Sequence, residues 1–313
     1  MKFGQPQTLE AIANLLDCEY VGNAGFPVLG MNEIHVVQPG DIVFVDHPKY
    51  YSKALESLAT IVLINKMVDC PPGKALLISD DPFRDFNKLT HHFNPFTPAR
   101  AAIAQSAEIG LHTIIQPNVF IGNNVKIGED CVIHSNCVIY DNTVIGNNVT
   151  IHGGTVLGAD AFYYKTRPEQ FDKLLSGGNV VIEDNVDIGA LCTIDSGVSA
   201  STVIGAGSKL DNQVHVGHDS VIGKRCLIAS QVGIAGCVLI EDEVTIWGQV
   251  GITSDVIIGE KAVISAQSGV SKSLPGHKSY FGTPADEFRK KYKELASIRL
   301  IPDIIEKLDK LHE

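Results

Sequence analysis

Two histidines and two aspartates fall within nine residues, Asp211-Asn212-Gln213-Val214-His215-Val216-Gly217-His218-Asp219. A neutral imidazole, with an ordinary pKa near 6.5, can take a proton from a nucleophile at physiological pH. His218 is therefore a candidate general base, and Asp219 a candidate to orient it. On position alone the alternative is an ordinary polar surface histidine. Gly236, in Gly233-Ile234-Ala235-Gly236, follows His218 by eighteen residues. A glycine N–H can meet a developing oxyanion because no side chain blocks the approach, or the residue can serve only a turn. Phe44 and Tyr50 offer flat faces on which a nucleobase can stack, although by type they read equally as core aromatics. Arg289, Lys290, Lys291 and Lys293 form a basic run that suits an acidic partner, or a solvated helix face.

The element that positions the histidines is a repeat. From Ile103 an aliphatic residue recurs at every sixth position through Ile109, Ile115, Ile121, Ile127, Ile133, Ile139, Ile145 and Ile151 to Leu157. The register is lost over residues 159–181, resumes at Ile182, Ile188 and Ile194, slips once, and runs again from Ile204 to Val270. Neither a 3.6-residue nor a two-residue period gives this spacing, whereas a hexapeptide β-helix does. Three repeats, about eighteen residues, complete a triangular coil, and the aliphatic side chains stack inside it. His218 and Gly236 then occupy one corner of neighbouring coils. Gly often follows the aliphatic residue, as at Gly110, Gly128 and Gly146, with Asn or Asp nearby, and these residue types suit the positive φ of a tight corner. Cys131 and Cys137, one repeat apart, read as stacked wall positions.

Residues 1–100 lack the repeat and read as a small α/β domain, with Thr8 capping a first helix and short strands at 42–45, 60–64 and 75–79. A second helix is expected over residues 83–92. The β-helix is expected over residues 101–275 and a helical extension over 276–313. Thr283-Pro284 reads as a helix start, Pro302 as a break, and the apolar stripe of the extension as a surface for neighbouring subunits.

A net charge of −11 argues against nucleic acid as a partner. The N-terminus lacks the apolar run of a secretory signal and no later run approaches the ~20 residues of a membrane span, so a cytoplasmic chain without an integral membrane segment is expected. Seven cysteines without a C-x-x-C pair fit neither a disulfide framework nor a zinc ribbon.

The stretch ending at His218 resembles the D-N-x-x-x-x-x-H segment of the UDP-3-O-acylglucosamine N-acyltransferase family of lipid A biosynthesis. Gly154 to Phe162 is similar to that family's G-T-V-x-G-A-D-G-F, Ile188 to Asp195 to its I-G-A-x-T-T-I-D, and Phe44 to Tyr50 to its uridine-binding F-x-x-N-P-K-Y. The resemblance spans nearly the whole chain and implies a mainly β fold, a left-handed parallel β-helix with a small N-terminal uridine-binding α/β domain and C-terminal helices. It implies transfer of a 3-hydroxyacyl chain to the 2-amino group of UDP-3-O-acylglucosamine, with no cofactor or metal beyond the phosphopantetheine of the acyl carrier protein that carries the donor. His218 takes the role of base and Gly236 that of oxyanion donor. Phe44 and Tyr50 flank the uracil, and Asp211 and His215 lie on the substrate side. Two positions depart from the pattern: His47 stands for the family's Asn, and Ser254 for a second histidine. A homotrimer with clefts between subunits is implied, and the run Arg289 to Lys293 is the expected docking site for acyl carrier protein.

Other occupants of such folds are a UDP-N-acetylglucosamine O-acyltransferase, a CoA-dependent acetyltransferase, a γ-type carbonic anhydrase-like zinc protein and a non-enzymatic solenoid. The first begins its β-helix almost at residue 1, which the N-terminal domain here opposes. His215 and His218 alone do not supply the zinc set.

Overall fold

Thr8 closes strand β1 (Lys2–Thr8) and caps helix α1 (Leu9–Leu16), its hydroxyl accepting the Ala11 N–H at 3.1 Å. That helix turns Leu9, Ile12 and Leu16 onto a six-stranded sheet. The structure, a computed structural model, describes residues 1–312. The other strands are β2 (Glu19–Val21), β3 (Pro27–Met31), β4 (Asp41–Val45), β5 (Ile61–Ile64) and β6 (Ala75–Ile78), in the order β1-β3-β4-β5-β6-β2. β3 to β6 run parallel, and the unbroken apolar run Ile61–Ile64 is what a strand covered on both faces requires. Helix α2 (Tyr51–Glu56) follows a turn at Pro48–Tyr50, and helix α3 (Pro82–Phe93) buries Phe83, Phe86 and Leu89.

From the Ile103–Ile121 bridge onward the chain coils as a left-handed parallel β-helix of two-residue strands, whose three walls are parallel sheets. Val216 lies opposite Ile234, and Ile127 opposite Ile145, each pair one coil apart. The aliphatic ladder from Ile121 to Ile264 is buried, each side chain contributing about 1.5–3 kcal/mol. Residues 160–178 leave the helix as an excursion with an antiparallel hairpin, Tyr164–Thr166 with Phe171–Lys173, and the strand Asn179–Ile182 rejoins it so that Ile145 pairs with Ile182. Ala161 and Leu174 of this excursion join the core of the N-terminal domain. Arg167 clasps Asp81 at 2.6 Å, and Lys165 pairs with Asp46, fixing the hairpin against the domain.

Three local expectations change. The left-handed corners are taken by the expected Asn and Asp, as at Asn118, Asn124, Asp130, Asp219 and Asp255, and also by Gln213, Arg225 and Cys237, with φ between 52° and 64°, but not by Gly110, Gly128 or Gly146. Gly110 and Gly128 serve close stacking instead, since a Cβ on Gly110 would lie 2.5 Å from the Gly128 carbonyl carbon. Cys131 and Cys137 sit on successive walls, and each stacks on the next coil; Cys131 accepts the Val149 N–H at 3.5 Å. Finally, Thr283-Pro284 starts no helix. Buried Tyr280 and the Ala285 N–H bond to Gly269 hold this stretch on the end of the β-helix, where Ser279–Phe281 pairs with Asp286–Glu287, and tertiary packing overrides the capping signal. Helix α4 (Phe288–Arg299) begins after it, and α5 (Ile301–His312) follows a break at Leu300. Phe288, Tyr292, Leu295, Ile305 and Leu308 of this extension are exposed.

Candidate active site

The loop after β4, the excursion and one corner of the β-helix enclose a cavity of about 570 Å³. Phe44, His47, Tyr50, His218, Gly236 and Ser254, six of the positions singled out in the sequence, all line it. Phe44 stands at the end of β4, braced by Phe86 at a ring separation of 4.8 Å, while Tyr50 is exposed as the last residue of the Pro48–Tyr50 turn. The His47 Nδ1 accepts the Lys49 N–H at 3.2 Å, closing that turn.

The corner of the β-helix supplies the chemistry. The Asp219 carboxylate is buried and accepts the N–H groups of Val198 at 2.7 Å and Ala200 at 3.2 Å. It also lies 2.9 Å from the His218 Nδ1. Burial works to raise its pKa, but the hydrogen bond from His218 and those backbone donors outweigh it and hold the group below the usual carboxylate range. An ionised Asp219 calls for the proton on Nδ1, which leaves Nε2 as the basic nitrogen. Tyr163, from the excursion, stacks on the imidazole at 5.7 Å and 13°.

Gly236 lies directly beneath that ring. A Cβ there would meet the His218 Nε2 at 2.5 Å, so only glycine fits without moving the base. The Cys237 N–H donates to the His218 carbonyl at 2.8 Å, locking the two coils together, while the Gly236 N–H makes no hydrogen bond among the described residues. A basic nitrogen and an unused N–H donor thus face one cavity.

Asp211 and His215 lie outside this cavity. Asp211 caps its own turn, accepting the Asn212 N–H at 2.7 Å. His215, on the outer face of the wall, has Nδ1 2.8 Å from the Thr193 hydroxyl and Nε2 3.8 Å from Asp195. Burial raises the pKa of Asp195, against the influence of both histidines. Of the basic run, Lys290 pairs with Asp286 at 2.5 Å and Lys291 with Glu294 at 3.2 Å.

Among the lining residues that the sequence did not point to are Glu33, Tyr163, Cys237 and Asp255. Cys237 and Asp255 follow Asp219 by one and two coils and were findable by stacking. Tyr163 was signalled only by the loss of register around it. Glu33, in the loop between β3 and β4, had no signal. Ligating atoms of Glu33, His218, Asp219 and Cys237 lie within 4.8 Å of one another, a donor set of the kind that holds a divalent cation. Three acceptor positions of Asp219 are already filled, and desolvation first, then the neighbouring acids, drives the Cys237 thiol far above its ordinary pKa.

Hexapeptide coils carrying a histidine–aspartate pair over an unused backbone donor define a hexapeptide-repeat acyltransferase. Comparison with known proteins agrees. The bacterial transferase hexapeptide family matches residues 124–159 and 201–236, and the UDP-3-O-(3-hydroxymyristoyl) glucosamine N-acyltransferase family, LpxD, matches residues 26–92. A UDP-3-O-acylglucosamine N-acyltransferase of Syntrophus aciditrophicus (strain SB) is 38% identical over 244 residues, 70% of this chain and 67% of that protein. One of Helicobacter hepaticus is 37% identical over 292 residues, 88% of this chain and 90% of that protein. Among solved structures, a UDP-N-acetylglucosamine acyltransferase from Bacteroides fragilis superposes with a TM-score of 0.55 at 29% identity, over 61% of this chain and 73% of that one. The chain belongs to the UDP-3-O-acylglucosamine N-acyltransferase family.

Proposed function

We propose that this enzyme transfers a 3-hydroxyacyl chain from acyl carrier protein to the 2-amino group of UDP-3-O-acylglucosamine, in the cytoplasmic part of lipid A biosynthesis. The carrying observation is that aromatic residues suited to a nucleobase and the His218–Gly236 pair line one cavity. Uracil stacks against Phe44 and Tyr50, and His47 takes the place of an amide toward the nucleotide. The sugar then extends toward the corner of the β-helix.

The amine nitrogen attacks the thioester carbonyl carbon as the His218 Nε2 takes its proton. Negative charge gathers on the carbonyl oxygen, where the Gly236 N–H receives it. Collapse of the tetrahedral species breaks the C–S bond, and the imidazolium returns its proton to the departing thiolate. The products are the amide and the free pantetheine thiol. No group beyond the donor's own pantetheine enters this sequence. Asp219 stabilises the imidazolium between the two transfers, and Ser254 offers a hydroxyl where the nucleotide's phosphates pass. Asp211 and His215, on the outer face, are assigned to substrate completed by a neighbouring protomer of a homotrimer. The basic helix face at Arg289 and Lys293 is assigned to acyl carrier protein.

An O-acyltransferase acting on UDP-N-acetylglucosamine is the second reading, favoured by the Bacteroides fragilis likeness. The family match at residues 26–92 weighs against it. Mass spectrometry of the products from both nucleotide sugars, each supplied with mixed acyl carrier donors, separates the two. Amide formation on the amino sugar that vanishes in a folded His218→Ala variant is expected. Ester formation on the acetamido sugar, or activity undiminished in the variant, overturns the proposal.

A further inference from the structure

Glu33 reaches the catalytic pair from outside the β-helix. Its N–H donates to the Ser199 hydroxyl at 2.9 Å, pinning the β3–β4 loop to a coil 166 residues further along the chain. Its side chain thereby comes to within 4.8 Å of ligating atoms of both His218 and Asp219. One of its oxygens, Oε2, is sealed from solvent and has no hydrogen-bond partner. Such an orphaned buried oxygen costs stability unless it carries a proton to donate.

The two carboxyls are not equivalent. Asp219 receives two backbone N–H groups and the imidazole, so it is the one that ionises. Two carboxyls held together away from water cannot both be charged, so the one without donors keeps its proton. Burial, and then the charge of Asp219, push Glu33 up to about 9. Asp255, Cys237 and Tyr163 also face this spot, and the Met1 amino group, bonded to Asn32 and Ser199, feels the charge of Asp219.

We propose that Glu33 is a positioning residue of the catalytic pair: a neutral carboxylic acid, lent by the N-terminal domain, that hydrogen-bonds the Asp219 carboxylate and fixes the Asp219–His218 geometry across the domain seam. The proposal rests on the reading of His218 as base. It makes the dyad of the β-helix dependent on the seating of the nucleotide-side domain, because the same loop that carries Glu33 leads into β4 and Phe44. Gln keeps a neutral donor at this position, whereas Ala removes it and Asp withdraws it by one methylene.

Infrared difference spectroscopy of the full-length protein against Glu33→Gln at neutral pH tests the protonation without any turnover. The wild type should show the carbonyl stretch of a protonated carboxylic acid that the variant lacks; its absence overturns the proposal whatever the substrate proves to be. Kinetics test the positioning. Glu33→Gln should keep kcat within about threefold, while Glu33→Ala and Glu33→Asp lose about tenfold in kcat with a smaller change in KM for the nucleotide sugar. Gln as damaging as Ala, or Ala without effect, contradicts the role.

Stability against pH gives a third readout that survives if the Ala variant fails to fold. The folded-state pKa lies above the unfolded one, so the native state holds a proton that the unfolded chain releases. The stability of the wild type relative to Glu33→Gln is then fully present below the unfolded value and declines as pH rises toward about 9. A difference that does not change with pH rules the proposal out.

Discussion

Two corners of the same β-helix differ in whether the next coil supplies an acceptor to the corner N–H. At an ordinary corner the Lys224 N–H is accepted by the Asp242 carboxylate of the next coil at 2.8 Å. Asn123 with Asp141, Asn147 with Asp184 and Ala190 with Asn212 repeat the arrangement, each at 2.7 Å. At the cavity corner the residue in Lys224's place is Gly236, and the residue in Asp242's place is Ser254, which leaves the Gly236 N–H unused. Five corner donors of the scaffold are met in this way by an Asp or Asn of the next coil, those of Asn123, Glu129, Asn147, Ala190 and Lys224. The cavity corner is set apart because its unused donor lies beneath a histidine and on the wall of the cavity. Half-buried on the cavity wall, that donor is open to whatever enters the cavity.

Substituting Gly236 should have the largest effect. In Gly236→Ala the N–H survives, but the new Cβ occupies the space against the His218 Nε2, so kcat should fall by about 10² or more with little change in melting temperature. Steady-state kinetics with a folded control check it. Removing the stacking face with Tyr50→Ala should raise KM for the nucleotide sugar about fivefold while sparing kcat, in keeping with an aromatic contact of about 1 kcal/mol. Lys290 and Lys291 are tied to acids of their own helix region, so reversing both to Glu should raise KM for the carrier-bound donor only a few-fold, and less at high salt. The ordinary corner should behave in the opposite way. Asp242→Ala should cost about 1 kcal/mol of stability by thermal or denaturant unfolding and leave kcat untouched.

Much of this was legible in the sequence because a six-residue period cannot be satisfied by any other packing. Once the coil is known, residues eighteen apart are neighbours, and His218 with Gly236 follows from counting. The same counting reaches Cys237 and Asp255. The role of glycine was less legible, since composition alone does not separate a residue required for its φ from one required for close stacking. Thr283-Pro284 shows the converse failure: a good local helix signal was overruled by buried Tyr280 at the end of the solenoid. Glu33 and Tyr163 were beyond reach, because they arrive at the site through non-periodic segments whose course depends on the docking of one domain on another.

Supplying such an acceptor at the cavity corner is the most direct measurement. In Ser254→Asp the new carboxylate stands to Gly236 as Asp242 stands to Lys224, and should accept the Gly236 N–H. The turnover number for acyl transfer should fall by about 10²–10³, the worth of one oxyanion donor, while the protein melts at the same temperature or higher. A variant that keeps wild-type turnover although its Gly236 amide is shown by NMR to be hydrogen-bonded would mean that this N–H plays no part in catalysis.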